Sequence, residues 1–326
     1  MIGDFFGGGV ITVGPAFGGA PNNLVNAPGG TSPRFKLADL TSPIPQDRAY
    51  FDYDYYHNVQ LQTPNIDVNV YTPGFEKTFL DGLVSFELRL PMANTLSSNV
   101  FMDGTTATSV GEVGNLAMAF KGLLLRRDTF ALSAGLALSV PTAKSTQIFA
   151  ESGDPAPECI MVNESVHLMP FLGALWTPTD RVFAIGYVQL DVDANGDTVL
   201  ATNGGAAFPS NPLLNVGRYF DPTILYTDFA LGYWVHRSDS RSDLVTGLAY
   251  VGEIHVNQSL GTSSLVTDSA GGTVLEQGSA FTIIDLTVGA HVVLRESTTM
   301  TLAYCTPLTA QRQFDGEFQV LLDRRF

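Results

Sequence analysis

The stretch FQVLLDRRF, residues 318–326, decides the fold. Counting back from Phe326, the residues Leu322, Val320 and Phe318 place apolar side chains on one parity, with Arg324 the only break. Gln319, Asp323 and Arg325 occupy the other parity. Successive side chains of a strand point to opposite faces, so this segment is a strand with one greasy and one wet face. A strand of this kind, ending on an aromatic residue, closes an outer-membrane β-barrel, because the aromatic ring settles at the membrane interface. Phe318, Val320, Leu322 and Phe326 are therefore the expected barrel-closing strand. An edge strand of a soluble sheet carries the same pattern, so the rest of the chain must decide.

Composition narrows the choice. Of 326 residues, 45% are hydrophobic and only 15% charged, with 32 glycines and 18 prolines. No uninterrupted apolar run approaches the roughly 18 residues of a membrane helix. The longest, residues 129–143, is broken by Ser133, Gly135, Ser139 and Pro141. Apolar residues dispersed at period two give this composition in a barrel. The net charge of −15, with 32 acids to 17 bases, excludes nucleic acid as a partner, since that needs clustered cations to displace counterions. Cys159 and Cys305 are too few for a disulfide scaffold or a zinc site. Both are expected on the external side, and whether they pair is left open. No Lys or Arg precedes Arg34, so the start is no signal peptide, and the chain is expected to begin downstream of one.

Residues 1–45 are rich in Gly, Pro and Asn and read as a flexible segment able to plug a lumen, while residues 46–326 read as one barrel. Alternating segments begin near Asp47, Glu76, Glu112, Thr129, Ser165, Val182, Thr223, Leu244, Phe281, Thr298 and Phe314, eleven in all. Short connections around Arg126, Pro178, Ser238 and Glu296 alternate with long ones at residues 144–164, 194–220 and 258–280. Tight periplasmic turns and long external loops are the asymmetry of outer-membrane barrels. With Phe326 on the periplasmic side, this count leaves the strand near Asp47 descending, so an even barrel draws its first strand from residues 33–39, giving about twelve antiparallel strands. Arg126, Arg127, Arg181, Arg237, Arg241, Arg295, Arg324 and Arg325 gather at the short-turn rim, where guanidinium groups reach lipid phosphates.

Four segments carry a resemblance: SPIPQDRAYFDYDYYHNV (residues 42–59), YTPGFEKTFLDGLVSFELRLP (71–91), VGNLAMAFKGLLLRRDTFALSAGLALSVPTA (113–143) and VHLMPFLGALWTPTDRVFAIGYVQLDVDANG (166–196). They resemble planctomycete outer-membrane β-barrel proteins. More distantly, the order of the RLP, GNL, GLALSVPTA and PFLG strands looks like barrels associated with phenol and hydrocarbon uptake. The resemblance implies a barrel from about Arg34 onward and supplies no catalytic residues.

The polar parity of the strands holds the candidate functional residues. If Val84, Phe86 and Leu88 face lipid, Glu87 and Arg89 face inward, and the same logic adds Lys121, Asp228, Glu253, His255, Asp285, His291, Arg295, Glu317 and Asp323. Six of these are carboxylates and three are permanent cations, so an open lumen is expected to prefer cations. DVDANGD from Asp191 offers Asp191, Asp193, Asn195 and Asp197 as a weak calcium loop, but Thr202 stands where the bidentate Glu belongs. The segment ALSAG around Ser133 has Ala131 in place of the first Gly of a nucleophile elbow, and Gly7 starts no phosphate loop. The preferred reading is a passive channel for small solutes in the outer membrane of a diderm bacterium. It is not an enzyme, needs no cofactor, and its partners are outer-membrane lipids and the barrel-assembly machinery. A structural barrel with a closed lumen is the alternative, and a barrel hydrolase using His255 or His291 beside Glu253 and Asp285 stands third. The oligomeric state is left open.

Overall fold

The computed structural model describes residues 1–3, 10–13, 23–26, 34–60, 65–94, 97–101, 111–202, 212–238, 240, 242–262, 265–267, 273–276, 280–295 and 297–326. Twelve antiparallel strands close into a transmembrane barrel: β1 (Arg48–Val59), β2 (Ile66–Phe79), β3 (Val84–Arg89), β4 (Leu116–Arg127), β5 (Phe130–Val140) and β6 (His167–Trp176). They continue as β7 (Val182–Asp193), β8 (Ile224–Arg237), β9 (Val245–Ser259), β10 (Thr282–Leu294), β11 (Thr298–Pro307) and β12 (Gly316–Arg325). Each strand pairs with its neighbours in sequence, and β12 returns to β1 in continuous register from Gly316↔His57 to Arg325↔Arg48. Closure leaves no unpaired sheet edge within the hydrocarbon, where an unsatisfied N–H or C=O costs several kcal/mol.

The twelfth strand is not the one expected from sequence. Residues 34–39 form no strand, and Arg34, Lys36, Leu37 and Ala38 are buried inside the barrel; Pro33 lies outside the described residues. The extra strand is β2, which the reading from Glu76 onward merged with β3. Pro73 and Gly74 interrupt its sequence pattern, yet Pro73 sits opposite Phe51 of β1, and its carbonyl accepts the Leu90 N–H on the other side. The hairpin between β2 and β3 turns at Leu80, Asp81 and Gly82, with φ of 51°, 55° and 80°. Asp-Gly favours this left-handed turn, so the signal was present in FLDGL. In consequence β1 rises from the short-turn rim instead of descending to it, and Phe326 N donates to Asp47 O at 3.2 Å, bringing both ends of the barrel together there. Asp47 accepts from Lys77 Nζ and from the N–H and hydroxyl of Thr78, which hold its carboxyl down at about 2.

Alternation gives the wall its two faces. Phe229, Leu231, Tyr233, Tyr250, Ile254, Phe318 and Leu322 project outward and are exposed, while Asp228, Ala230, Glu253, His255, Gln319 and Asp323 between them are buried within. The outward set is the lipid-facing belt. The long connections are more ordered than a string of loops. Asn99–Phe101, Thr146–Phe149, Cys159–Val162, Asp197–Ala201 and Leu214–Tyr219 form a five-stranded sheet at the long-loop rim. Val100, Ile148, Cys159, Met161, Val199 and Tyr219 pack in its core. Val10–Val13 pairs with Asn23–Asn26 and with Thr273–Glu276 of another long connection, so the N-terminal segment also reaches this rim. Neither cysteine forms a disulfide: Cys159 sits in the rim sheet, where burial pushes its thiol up to about 12, and Cys305 is buried beside Tyr56 and Phe314.

Aromatic rings lie over glycines of neighbouring strands and tighten the wall. A Cβ on Gly173 would stand 2.4 Å from Tyr187 Cε1, whereas one on the outward Gly252 would meet nothing within 4 Å. Gly173→Val should therefore cost about 1–3 kcal/mol of unfolding free energy through overpacking. Gly252→Ala should be silent, both being read by denaturant unfolding in detergent micelles.

The sidedness is testable on intact cells. Single cysteines at Ser152 and Thr267, on the long connections, should react with a membrane-impermeant maleimide in an otherwise Cys-free chain, and those at Thr179 and Ser240 should not. Labelling in the opposite sense would invert the topology.

Candidate functional site: the filled lumen

Ionisable groups at membrane depth persist only where water or partners satisfy them, so the inward parity of this barrel must contain its own counterions. The described inward wall carries ten buried carboxylates: Asp52, Asp54, Glu76, Glu87, Asp191, Asp228, Glu253, Asp285, Glu317 and Asp323. Against them the wall sets three buried cations, Arg48, Arg89 and Lys121.

These three cations make one network. The Arg48 guanidinium reaches Glu76 at 2.9 Å, Asp323 at 2.8 Å and Glu87 at 3.4 Å, and donates to the Leu40 carbonyl. Arg89 Nε pairs with Glu87 at 2.7 Å, and Tyr50 OH donates to the same carboxylate at 2.6 Å. Lys121 Nζ lies 3.1 Å from Glu76 and also donates to Thr41 Oγ1 and the Ser42 carbonyl.

Among the described residues, further cations come from the N-terminal segment, whose residues 1–3 and 34–38 lie buried inside the barrel. Lys36, fully buried, pairs with Asp228 at 2.5 Å and donates to Asn257 Oδ1 at 3.0 Å. His255 bridges the same Asp228 at 3.0 Å and Glu253 at 3.3 Å. Glu253 in turn accepts the backbone N–H groups of Ile2 and Gly3. Gln189 of β7 holds the segment as a strand would: its Oε1 accepts the Leu37 N–H at 2.7 Å, and its Nε2 donates to the Phe35 carbonyl at 3.0 Å. Arg34 pairs with Asp221 at 2.8 Å and approaches Asp191 at 3.6 Å. Apolar packing accompanies the charges. Ile2, Phe35, Leu37 and Ala38 rest against a wall whose inward residues include Ala117, Ala119, Ala137, Ala230 and Ala303, small enough to admit a chain.

Glu87, Arg89, Lys121, Asp228, Glu253, His255, Asp285, Glu317 and Asp323 are all buried within the barrel. His291 shares their parity, half-buried, with Nδ1 2.7 Å from Thr301 Oγ1. Arg295 does not: it stands exposed in the turn after β10 with φ of 49°, because the hairpin reverses there and ends the alternation. The calcium loop is not assembled. Asp193 Oδ1 accepts the N–H groups of Asn195 and Gly196, Asp197 accepts those of Glu164 and Ser165, Asn195 Oδ1 accepts that of Val166, and Asp191 faces His167. These groups cap a turn. Ser133 donates to the Gly173 carbonyl inside β5, as a small inward residue does.

Sequence reasoning missed Arg34, Lys36, Arg48, Asp52, Asp54, Glu76 and Gln189. The alternation RAYFDYDYY did display Arg48, Asp52 and Asp54 on one parity. Arg34 and Lys36 were visible only as the first basic residues in a Gly-rich segment, with nothing local to pair them.

No family model and no curated protein matches the chain. Among solved structures it is similar to the COG4313 outer membrane channel from Pseudomonas putida F1, at 10% identity and a TM-score of 0.58, over 90% of this chain and 100% of that one. The β domain of the Bordetella autotransporter Brka aligns at 10% identity and a TM-score of 0.50, over 86% of this chain and 100% of that one. The Pseudomonas putida toluene transporter TodX, at 9% identity and a TM-score of 0.42 over 85% and 87%, is too distant in shape to add to the argument. The likeness is one of fold: this chain has the architecture of an outer-membrane β-barrel.

Arg48 gives the network its strongest test. Arg48→Met strips the common counterion from three buried carboxylates and should lower stability by roughly 3–5 kcal/mol in detergent. Lys144→Met, which removes an exposed contact 3.8 Å from Glu112, should change it by less than about 1 kcal/mol.

Proposed function

We propose that this chain is an outer-membrane channel for small solutes, kept shut at rest by its own N-terminal segment and cation-preferring when that segment leaves. The observation that carries the proposal is the fully buried Lys36, held on Asp228 inside the barrel. A wall with ten carboxylates to three cations attracts cations along its length, and the segment supplies Arg34 and Lys36 as matching charge. Removing the segment exposes that surplus to water. Outer-membrane lipids would contact the apolar belt, and the barrel-assembly machinery would insert the chain. The planctomycete-type resemblance and the channel among the similar structures support the same reading.

A second reading, a structural barrel whose lumen never opens, is favoured by the density of contacts between the segment and the wall. Planar-bilayer recording separates the two. The full chain should conduct rarely, and joint replacement of Arg34 and Lys36 by Met should raise the open fraction. Reversal potentials in a salt gradient should then report cation preference, weakening as salt shortens the Debye length below about 10 Å. Asp228→Asn, Glu253→Gln and Asp285→Asn together should reduce it further. A chain lacking residues 1–40 that still passes no current would establish the structural barrel instead.

A further inference from the structure

We propose that His167, Asp193 and Asp221 form a binding site for a divalent transition-metal ion of the zinc class at the long-loop rim, apart from the lumen network around Arg48. His167 opens β6, Asp193 closes β7 directly opposite it, and Asp221 lies just before β8. One ligand atom from each of the three lies within 4.8 Å of the others. His167 Nε2 stands 3.6 Å from Asp221 Oδ2. Metal bonds of about 2.0–2.2 Å in a tetrahedron set ligand atoms roughly 3.4 Å apart, so this edge is already at coordination length.

The surroundings orient the donors. Asp191 Oδ1 lies 2.6 Å from His167 Nδ1, which places the proton on Nδ1 and aims the Nε2 lone pair at Asp221. Metal-binding histidines are held by a carboxylate in this way. A metal ion between His167 Nε2 and Asp221 Oδ2 would take the place that a proton otherwise fills between them. Asp193 is fixed as well: its Oδ2 accepts the Asp221 N–H at 2.9 Å, tying the two carboxylates together through the backbone.

Charge points the same way. Asp191, Asp193 and Asp221 bring three negative charges, and Arg34, which contacts Asp191 and Asp221, brings one positive. A divalent ion balances the net charge of these four groups. One imidazole nitrogen with two carboxylate oxygens suits zinc, manganese or iron(II), and is the wrong donor set for calcium or magnesium, which take oxygen. Three protein ligands leave a fourth position to water. The ion would clamp β6, β7 and the entry to β8, and through Arg34 would steady the upper end of the lumen segment.

The test uses the full chain in detergent, stripped with a chelator and titrated with Zn²⁺ by calorimetry and with Co²⁺ by visible absorption. We expect one equivalent of zinc and a cobalt spectrum of low coordination number. His167→Gln and Asp221→Asn should each lower affinity at least about tenfold, and Asp191→Asn, which alters the group that orients the imidazole without ligating the ion, by about 10–100-fold. His57→Ala removes an exposed histidine 2.9 Å from Asp67 and should change nothing. Heat-modifiable migration on gels reports whether each variant still forms a barrel. Should a variant fail to fold, the wild-type stoichiometry decides alone. Sub-stoichiometric zinc in the wild type, or equal uptake in folded His167→Gln, overturns the proposal and leaves His167 an imidazolium clamped between Asp191 and Asp221.

Discussion

Everything in this molecule depends on the ladder between β1 and β12. In hydrocarbon no water completes a broken hydrogen bond, so a sheet survives there only if its first strand meets its last. The register from Gly316↔His57 to Arg325↔Arg48 supplies that closure, and it forces an even number of antiparallel strands with both barrel ends on one rim. Once the ring is closed, the period of two divides each strand between lipid and interior without further instruction. The belt of exposed Phe, Leu and Tyr and the buried carboxylates are two consequences of one geometric rule.

The interior then poses an electrostatic problem that the wall alone does not solve. Three wall cations satisfy the side bearing Glu76, Glu87 and Asp323, through Arg48 above all. Asp191 and Asp228 find their positive charge in Arg34 and Lys36, and Glu253 is met by the Ile2 and Gly3 amides. The N-terminal segment therefore behaves as a ligand of its own barrel, recognised by charge, by the two-way amide of Gln189, and by the space that inward alanines leave. Salt bridges this deep are costly to break singly, because each leaves an uncompensated charge, yet they are replaceable as a set by water and ions. That combination is what the proposed plug would need in order to stay in place and yet be replaced by solvated cations.

What local sequence determined was the part of the architecture with a short period. FQVLLDRRF announced a barrel strand, the alternation of short and long connections announced the topology, and the parity of FELR or DFA placed Glu87, Arg89 and Asp228 inside. These features are legible because the side of a strand is set by neighbours two residues away. β2 escaped because Pro73 and Gly74 disturb that period locally, while its pairing with β1 and β3 tolerates them. Tertiary structure alone decided who meets whom in the interior. Lys36 and Asp228, Ile2 and Glu253, and Arg48 and Asp323 are brought together only when the ring closes around a returning chain. No pattern within either partner's own segment encodes those meetings, since what selects them is the cost of burying a charge without a partner, which arises only when the chain closes around it.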